Sequence, residues 1–238
     1  MRYTGGLSKK EREQIFRLFV DKRSLKFNQI EKSLKIRSNL VAYHLDRMRR
    51  EGLLDKKGED YSLTPKAEKF LPILPQITGM DAGPLAVALV AVMNSGKILL
   101  LQRNKRPYQG YLGLVGGRIK HEETVEQAAI RLVKEKAGII GTRATINAVM
   151  HEQVNGDGVM KHSFLLFLAT VSAEEADPKD TGYGPVGWSS LKGLEKTKVI
   201  PSDLWLIKNK LGKRCPMTQA RMEESQGELS DFEILKNR

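Results

Sequence analysis

The sequence predicts a two-domain chain: a small, mainly α front unit carrying a β-hairpin, followed by a larger α/β unit. Three observations point that way. At 238 residues the chain exceeds the usual size of one domain. Apolar residues recur at helical spacing as far as Leu71, whereas strand-length apolar runs begin at Ala86. Between these regions, Pro72 to Pro84 is broken by prolines and glycines and has no periodicity, which marks residues 73–83 as a linker.

In the front unit, Ser8 to Asp21 carries Ile15, Phe16, Phe19 and Val20 at helical spacing. Phe27 to Leu34 reads as a second, short helix. Ser38 is a candidate N-cap for a third helix running from Asn39 to about Glu51 and stopped by Gly52. Leu53 to Leu63 reads as two short strands around a charged, glycine-containing tip. Thr64 to Leu71 is a further helix with Thr64 capping and Pro65 in its first position. Helical periodicity gives the third helix two faces. Val41, Leu45 and Met48 turn inward with Leu40 and His44 beside them, and Asn39, Tyr43, Arg47 and Arg50 lie opposite.

This order of elements resembles a winged helix-turn-helix domain of the type found in ArsR and MarR repressors, over residues 7–72. The similar pieces run from Ser38 to Leu45, from Arg50 to Leu54 and from Leu63 to Lys66. The resemblance implies that the third helix enters the DNA major groove while the hairpin touches the backbone or minor groove. It makes Arg37, Asn39, Tyr43, Arg47, Arg50, Lys56 and Lys57 the candidate DNA-binding residues. Asn and Arg can pair with base edges in a bidentate way, and Arg can also hold phosphate. Charge agrees: of a net +12, residues 1–75 hold 18 Lys or Arg against 10 Asp or Glu, a net of +8. Such basic surfaces favour polyanions.

In the second unit, Ala86 to Met93 and Lys97 to Leu101 flank a turn at Asn94-Ser95-Gly96 and read as a strand pair. Thr124-x-x-Gln127 is a capping box, so a helix starts at Val125, and Gly138 suits the left-handed residue that ends it. Ala144 to His151 and His162 to Val171 are strands joined around Asn155-Gly156-Asp157-Gly158. Gly187 to Leu191 is a late strand, and Pro201 to Leu211 a terminal helix. Residues 213–238 are polar and mixed in charge, a tail expected to be disordered or to become helical on a partner.

Around the capped helix, Gly117 is followed after five residues by Glu123, after seven more by Arg131, then by Glu135 and Gly138. This resembles the Nudix box, Gx5Ex7REUxEExGU with U aliphatic, and the flanking order is similar to that family from residue 84 to 212. The resemblance implies an α/β/α fold with a mixed sheet, and an activity that cleaves nucleoside diphosphate derivatives with Mg2+ held on one helix face. Two of the pattern's acids are absent: Leu132 and Lys136 stand where it has Glu. Positions 132, 135 and 136 share an arc of about 100°. A hard cation prefers several oxygen ligands there, and this arc offers only Glu135. Unit charges about 4 Å apart interact by about 4 kcal/mol at an effective dielectric near 20, and a divalent ion beside Lys136 meets about twice that as repulsion.

The combined expectation is a DNA-binding transcription regulator whose degenerate Nudix domain senses a nucleotide or phosphorylated metabolite with little or no hydrolysis. Nudix-type transcriptional regulators pair the same two kinds of domain in the opposite order. Candidate ligand-binding residues are Arg103, Arg106, Gly117, Arg118, Lys120, Glu123, Arg131 and Lys136, with Lys136 taking over part of the metal's charge role. Glu123 and Arg131 equally suit a brace between loop and helix. No cofactor is expected; if hydrolysis survives, it needs Mg2+ and uses Glu135 as the catalytic and metal residue. The expected partners are double-stranded DNA, a nucleotide-type small molecule and a second copy of the chain, in the cytoplasm and away from membranes. No apolar run nears the ~20 residues of a membrane span, and the single cysteine, Cys215, excludes an internal disulfide. Three alternatives stay open: a working Mg2+-dependent hydrolase, an RNA-binding factor and a protein-interaction scaffold.

Overall fold

The computed structural model describes residues 9–72, 74, 83–173, 177–225 and 228–235. The chain divides into two compact units, residues 1–83 and 84–238. Most of the expected linker, 73 and 75–82, lies outside the described residues.

The first unit runs α1 (Lys10–Arg17), β1 (Ser24–Lys26), α2 (Phe27–Leu34), α3 (Ser38–Arg50), β2 (Leu54–Lys57), β3 (Asp60–Leu63) and α4 (Pro65–Glu68). Its antiparallel sheet has the order β1-β3-β2. The core is built from one face of each helix: Ile15 and Phe16 of α1, Ile30 of α2, and Val41, Leu45 and Met48 of α3 are all fully buried. Arg12, buried on α1, donates to both carboxylate oxygens of Glu51 at 3.1 Å and so ties α1 to the end of α3. Thr64 caps α4 by accepting from the Ala67 N–H at 3.2 Å.

Three expectations are corrected in this unit, and one short strand is added. Helix α3 starts at Ser38 with Arg37 in the cap position, because the Ser38 hydroxyl donates to the Glu31 carboxylate instead of capping. Leu40 is exposed, while His44 is buried as expected. Helix α4 ends at Glu68 rather than Leu71. Strand β1, which pairs with β3, is too short to show a periodicity of its own.

The second unit comprises β4 (Leu85–Ala91), β5 (Met93–Asn94), β6 (Lys97–Gln102), β7 (Leu112–Gly113), β8 (Val115–Arg118), α5 (Val125–Ala137), β9 (Gly141–Gly156), β10 (Val159–Ala173), β11 (Val186–Ser190), a short 3-10 turn (Leu194–Lys196), α6 (Pro201–Lys210), β12 (Gln219–Ser225) and β13 (Glu228–Leu235). One sheet has the order β8-β4-β10-β9 and is mixed, since β10 runs parallel to β4 and antiparallel to β9. A second has the order β11-β6-β5, with β7 on β6.

Alternation along β4 places two helices on opposite faces. Ala88 and Val90, with Val92 just past the strand, pack with Ala128, Ala129, Leu132 and Val133 of α5. Leu89 and Ala91 pack with Leu206 and Ile207 of α6. The result is an α/β/α sandwich with a mixed sheet.

The tail differs from its expectation. Strands β12 and β13 form an antiparallel hairpin. A lone hairpin is marginal in water, and here the segment leading to it is fastened to the domain. The buried Asn147 amide donates to the Lys213 carbonyl at 2.6 Å and accepts from Thr170 at 2.7 Å. The Cys215 N–H reaches the Ile146 carbonyl at 2.9 Å.

Candidate functional site

Helix α5 sets the geometry of the site. Its start is the expected capping box: Thr124 accepts from the Gln127 N–H at 3.2 Å, and the Gln127 side chain accepts from the Thr124 N–H at 2.8 Å. Its end is Gly138, at a φ of 70°. Along one side of this helix runs a closed ion network. Arg131 donates through Nε to Glu123 at 2.7 Å, through Nη1 to Glu135 at 2.9 Å and through Nη2 to the Arg118 carbonyl at 3.1 Å. Glu123 also accepts from the Lys120 N–H at 2.6 Å, and the Lys120 ammonium lies 3.6 Å from Glu135. The Arg131 hydrogen bond holds the Glu123 carboxyl below its ordinary range. Glu123 and Arg131 therefore brace the loop onto the helix. Lys120 belongs to the same network, and none of these three lines the cavity beside it.

The positions that lack the box's acids are occupied. Leu132 is 2% exposed and belongs to the core between α5 and the sheet. It packs so closely under Gly117 that a Cβ there would lie 2.6 Å from a Leu132 methyl. Lys136 bends back to donate to the Gly116 carbonyl, and its ammonium stands 5.2 Å from the centre of the Tyr183 ring. Burial, with Arg103 nearby, pushes its pKa down. These residues do not fit Mg2+. One carboxylate of the arc remains, Glu135, and it faces Arg131 and Lys120. Among the described residues no group of three or more His, Cys, Asp or Glu could hold a metal ion.

Beside this helix face lies a cavity of about 380 Å³, within the size range of small-molecule sites. Its walls are largely apolar, including Val87, Tyr108, Phe164 and Ile200. Of the sequence-predicted residues, Arg103, Gly117, Arg118 and Lys136 line it. Arg106 lines an adjoining recess of about 230 Å³ together with Lys105 and Tyr183, and the two spaces share Arg103 and Lys136.

Glu152, His162, Ser202 and Asp203 also line the cavity and were missed in the sequence. Asp203 is the most unusual. It is 3% exposed, accepts from the Leu114 N–H at 2.7 Å, and burial pushes its pKa up to about 7. At neutral pH it can thus offer either a carboxyl donor or a carboxylate acceptor to whatever fills the cavity. Its place in the first turn of α6 is the usual one for an acid, so nothing in the sequence separates it from an ordinary helix-start residue.

In the first unit, the expected reading residues Arg37, Asn39, Tyr43, Arg47 and Arg50 are all exposed, as are Lys56 and Lys57 on the β2–β3 hairpin. Tyr43 is 53% exposed. Arg47 and Arg50 pair with near neighbours in the chain, Glu51 at 3.3 Å and Asp46 at 2.8 Å.

A family profile described as NUDIX domain matches residues 83–206, more than half of the chain. Over 56 residues the chain is 41% identical to an ADP-ribose pyrophosphatase of Methanocaldococcus jannaschii, a match covering 23% of this chain and 33% of that protein. The chain thus spans about a third of the length of that curated relative. Among solved structures, a MutT NUDIX hydrolase from Burkholderia pseudomallei aligns with a TM-score of 0.48 at 24% identity, over 53% of this chain and 98% of the other. The NUDIX domain of Shewanella oneidensis NrtR, complexed with ADP ribose, aligns with a TM-score of 0.43 at 20% identity, over 55% and 88%. With its box, its sandwich and this match over residues 83–206, the chain belongs to the Nudix family.

Proposed function

We propose that this protein is a DNA-binding transcription regulator, cytoplasmic and homodimeric, whose Nudix domain binds a nucleotide-type ligand and hydrolyses it little or not at all. The observation that carries the reading is the state of helix α5, where a buried leucine and a turned-in lysine stand in two of the positions that would serve a metal. A Nudix domain so altered keeps a ligand cavity and loses the means of hydrolysis. The cavity's apolar walls suit a base or nucleoside, and its cationic residues suit phosphate. ADP-ribose or a similar nucleoside diphosphate derivative is the ligand class of choice, in keeping with the name of the curated relative.

For the first unit we read the order α1–α2–α3–β2–β3 as a winged helix-turn-helix with α3 as the reading helix. The support is its exposed row of Asn39, Tyr43, Arg47 and Arg50, with Lys56 and Lys57 exposed on the β2–β3 hairpin. Nucleotide and DNA are coupled if the ligand favours one of two DNA-binding arrangements.

The test is a fluorescence-anisotropy titration of duplexes selected from genomic DNA, over a range of salt. Affinity is expected to fall steeply and linearly on a log–log plot, with structured RNA competing poorly at equal salt. Absence of any salt-dependent nucleic-acid binding would leave a protein-interaction scaffold, and stronger binding to RNA an RNA factor. Rapid Mg2+-dependent turnover of a nucleotide panel, lost in Glu135→Gln, would make the chain a hydrolase.

A further inference from the structure

We propose that Lys136 and Arg103 form a built-in anion clamp that captures a phosphate or diphosphate group without a metal ion. This rests on the reading of the cavity as a nucleotide site and adds how the charged part of the ligand is held.

The cation is built into the domain rather than left on its surface. Lys136 is partly buried, and its ammonium donates one N–H to the Gly116 carbonyl. An ammonium carries three donors, so two remain. Tyr183 covers one side with its ring, a contact that favours the charged form. Arg103 is held from below by the Pro107 carbonyl, which accepts its Nε–H at 2.9 Å. Among the described residues that bond leaves the two terminal nitrogens of the guanidinium, the part that forms bidentate pairs with phosphate oxygens.

The two cations also lack a counter-charge. Among the described residues neither Lys136 nor Arg103 forms an ion pair, although the domain pairs other charges along the same helix. Glu135 is adjacent to Lys136 in the chain, yet its carboxylate is taken by Arg131 and Lys120. Two positive groups are therefore held together in a recess, where burial and then the nearby Arg103 lower the affinity of Lys136 for its proton. Such a pair disfavours itself until an anion arrives. Both residues line the apolar cavity and the recess beside it, so the pair stands where the two spaces meet. The ligand chemistry follows: an apolar, flat group in the cavity joined to a phosphate or diphosphate at the junction. A tethered ammonium supplies the positive charge that a divalent ion would otherwise bring.

The test is isothermal titration calorimetry on the full chain with ADP, inorganic pyrophosphate and adenosine, each in EDTA and in excess Mg2+. The expected result is ADP binding in EDTA at least tenfold tighter than adenosine, with no gain from Mg2+. Lys136→Met keeps an unbranched apolar stem and removes the charge, and is expected to lower ADP affinity at least tenfold while leaving adenosine unchanged. Arg103→Gln is the second variant, should the first not fold, and the same loss is expected. ADP binding that requires Mg2+, or that survives both substitutions, overturns the clamp and leaves the nucleotide-sensing reading standing. Failure of all three probes to bind in either condition overturns both, with the DNA titration still deciding the role of the first unit. Pyrophosphate binding without a preference for ADP keeps the clamp and removes the apolar cavity from ligand recognition.

Discussion

Helices α3 and α5 have the same length, thirteen residues each, and opposite ways of using charge. Helix α5 is capped at both ends, and its ionic side chains turn onto the domain: Arg131 holds Glu123 and Glu135, and Lys136 holds a backbone carbonyl. Helix α3 has no side-chain cap at its start, rests on a buried stripe of Val41, Leu45 and Met48, and leaves its arginines outward in exposed pairs. Charges locked into a network position a scaffold. Charges left on the surface, worth little to stability, are available to a partner. The same residue types thus mark a frame in one unit and a candidate interface in the other.

The comparison can be broken at four points, beginning with the largest effect. Leu132→Ala empties core space under Gly117 and is expected to lower unfolding free energy by about 2–5 kcal/mol in denaturant titrations. A loss below 1 kcal/mol, on the order of a surface substitution, would show that α5 does not rest on this residue.

Asp203→Asn should act in the other direction. Its carboxyl has a folded pKa raised from 3.8 to about 7, so its contribution is fully present below the unfolded value and lost as pH rises through the folded one. A tenfold change in proton affinity is worth about 1.4 kcal/mol, which sets an upper bound of about 4 kcal/mol on the gain from the amide. Thermal unfolding at pH 8 should show the variant more stable than the parent, with the gap closing towards pH 4. An equal gap at both values would remove the buried carboxyl as its cause.

Glu123→Gln weakens the charged hydrogen bonds to Arg131 and is expected to cost about 1.5–3 kcal/mol. Here the folded pKa is depressed. The parent's advantage therefore exists above the unfolded value of 4.5 and disappears as pH falls through the folded one. A gap that persists in acid would point to packing instead of charge.

Arg47→Ala has the smallest effect on the fold, within about 0.5 kcal/mol. Its expected consequence lies in DNA binding, where a lost phosphate contact reduces the salt slope by about 1. Unchanged DNA affinity would take the α3 face out of the proposal.

The features legible in the sequence are those with local signals. The capping box at Thr124 and Gln127, the left-handed Gly138 and the helical spacing of Val41, Leu45 and Met48 are each decided within a few residues. The box spacing also located Leu132 and Lys136, though not their surroundings. Asp203 was not legible, because its burial depends on an N–H at Leu114, 89 positions earlier in the chain. The tail hairpin was hidden for a similar reason. Its strands carry exposed residues such as Leu229 and Phe232, so no burial alternation appears, and its anchors are distant groups, Asn147 and Ile146. The roles of Lys120, Glu123 and Arg131 turned on side-chain direction, which spacing alone does not give.

The most direct test of the whole account measures both units at once: the affinity of a genome-selected duplex with and without saturating ADP-ribose, in EDTA, followed by recovery of the nucleotide after incubation with Mg2+. The account predicts a change in DNA affinity of about 5- to 150-fold and an intact nucleotide. An unchanged affinity together with rapid cleavage would contradict it.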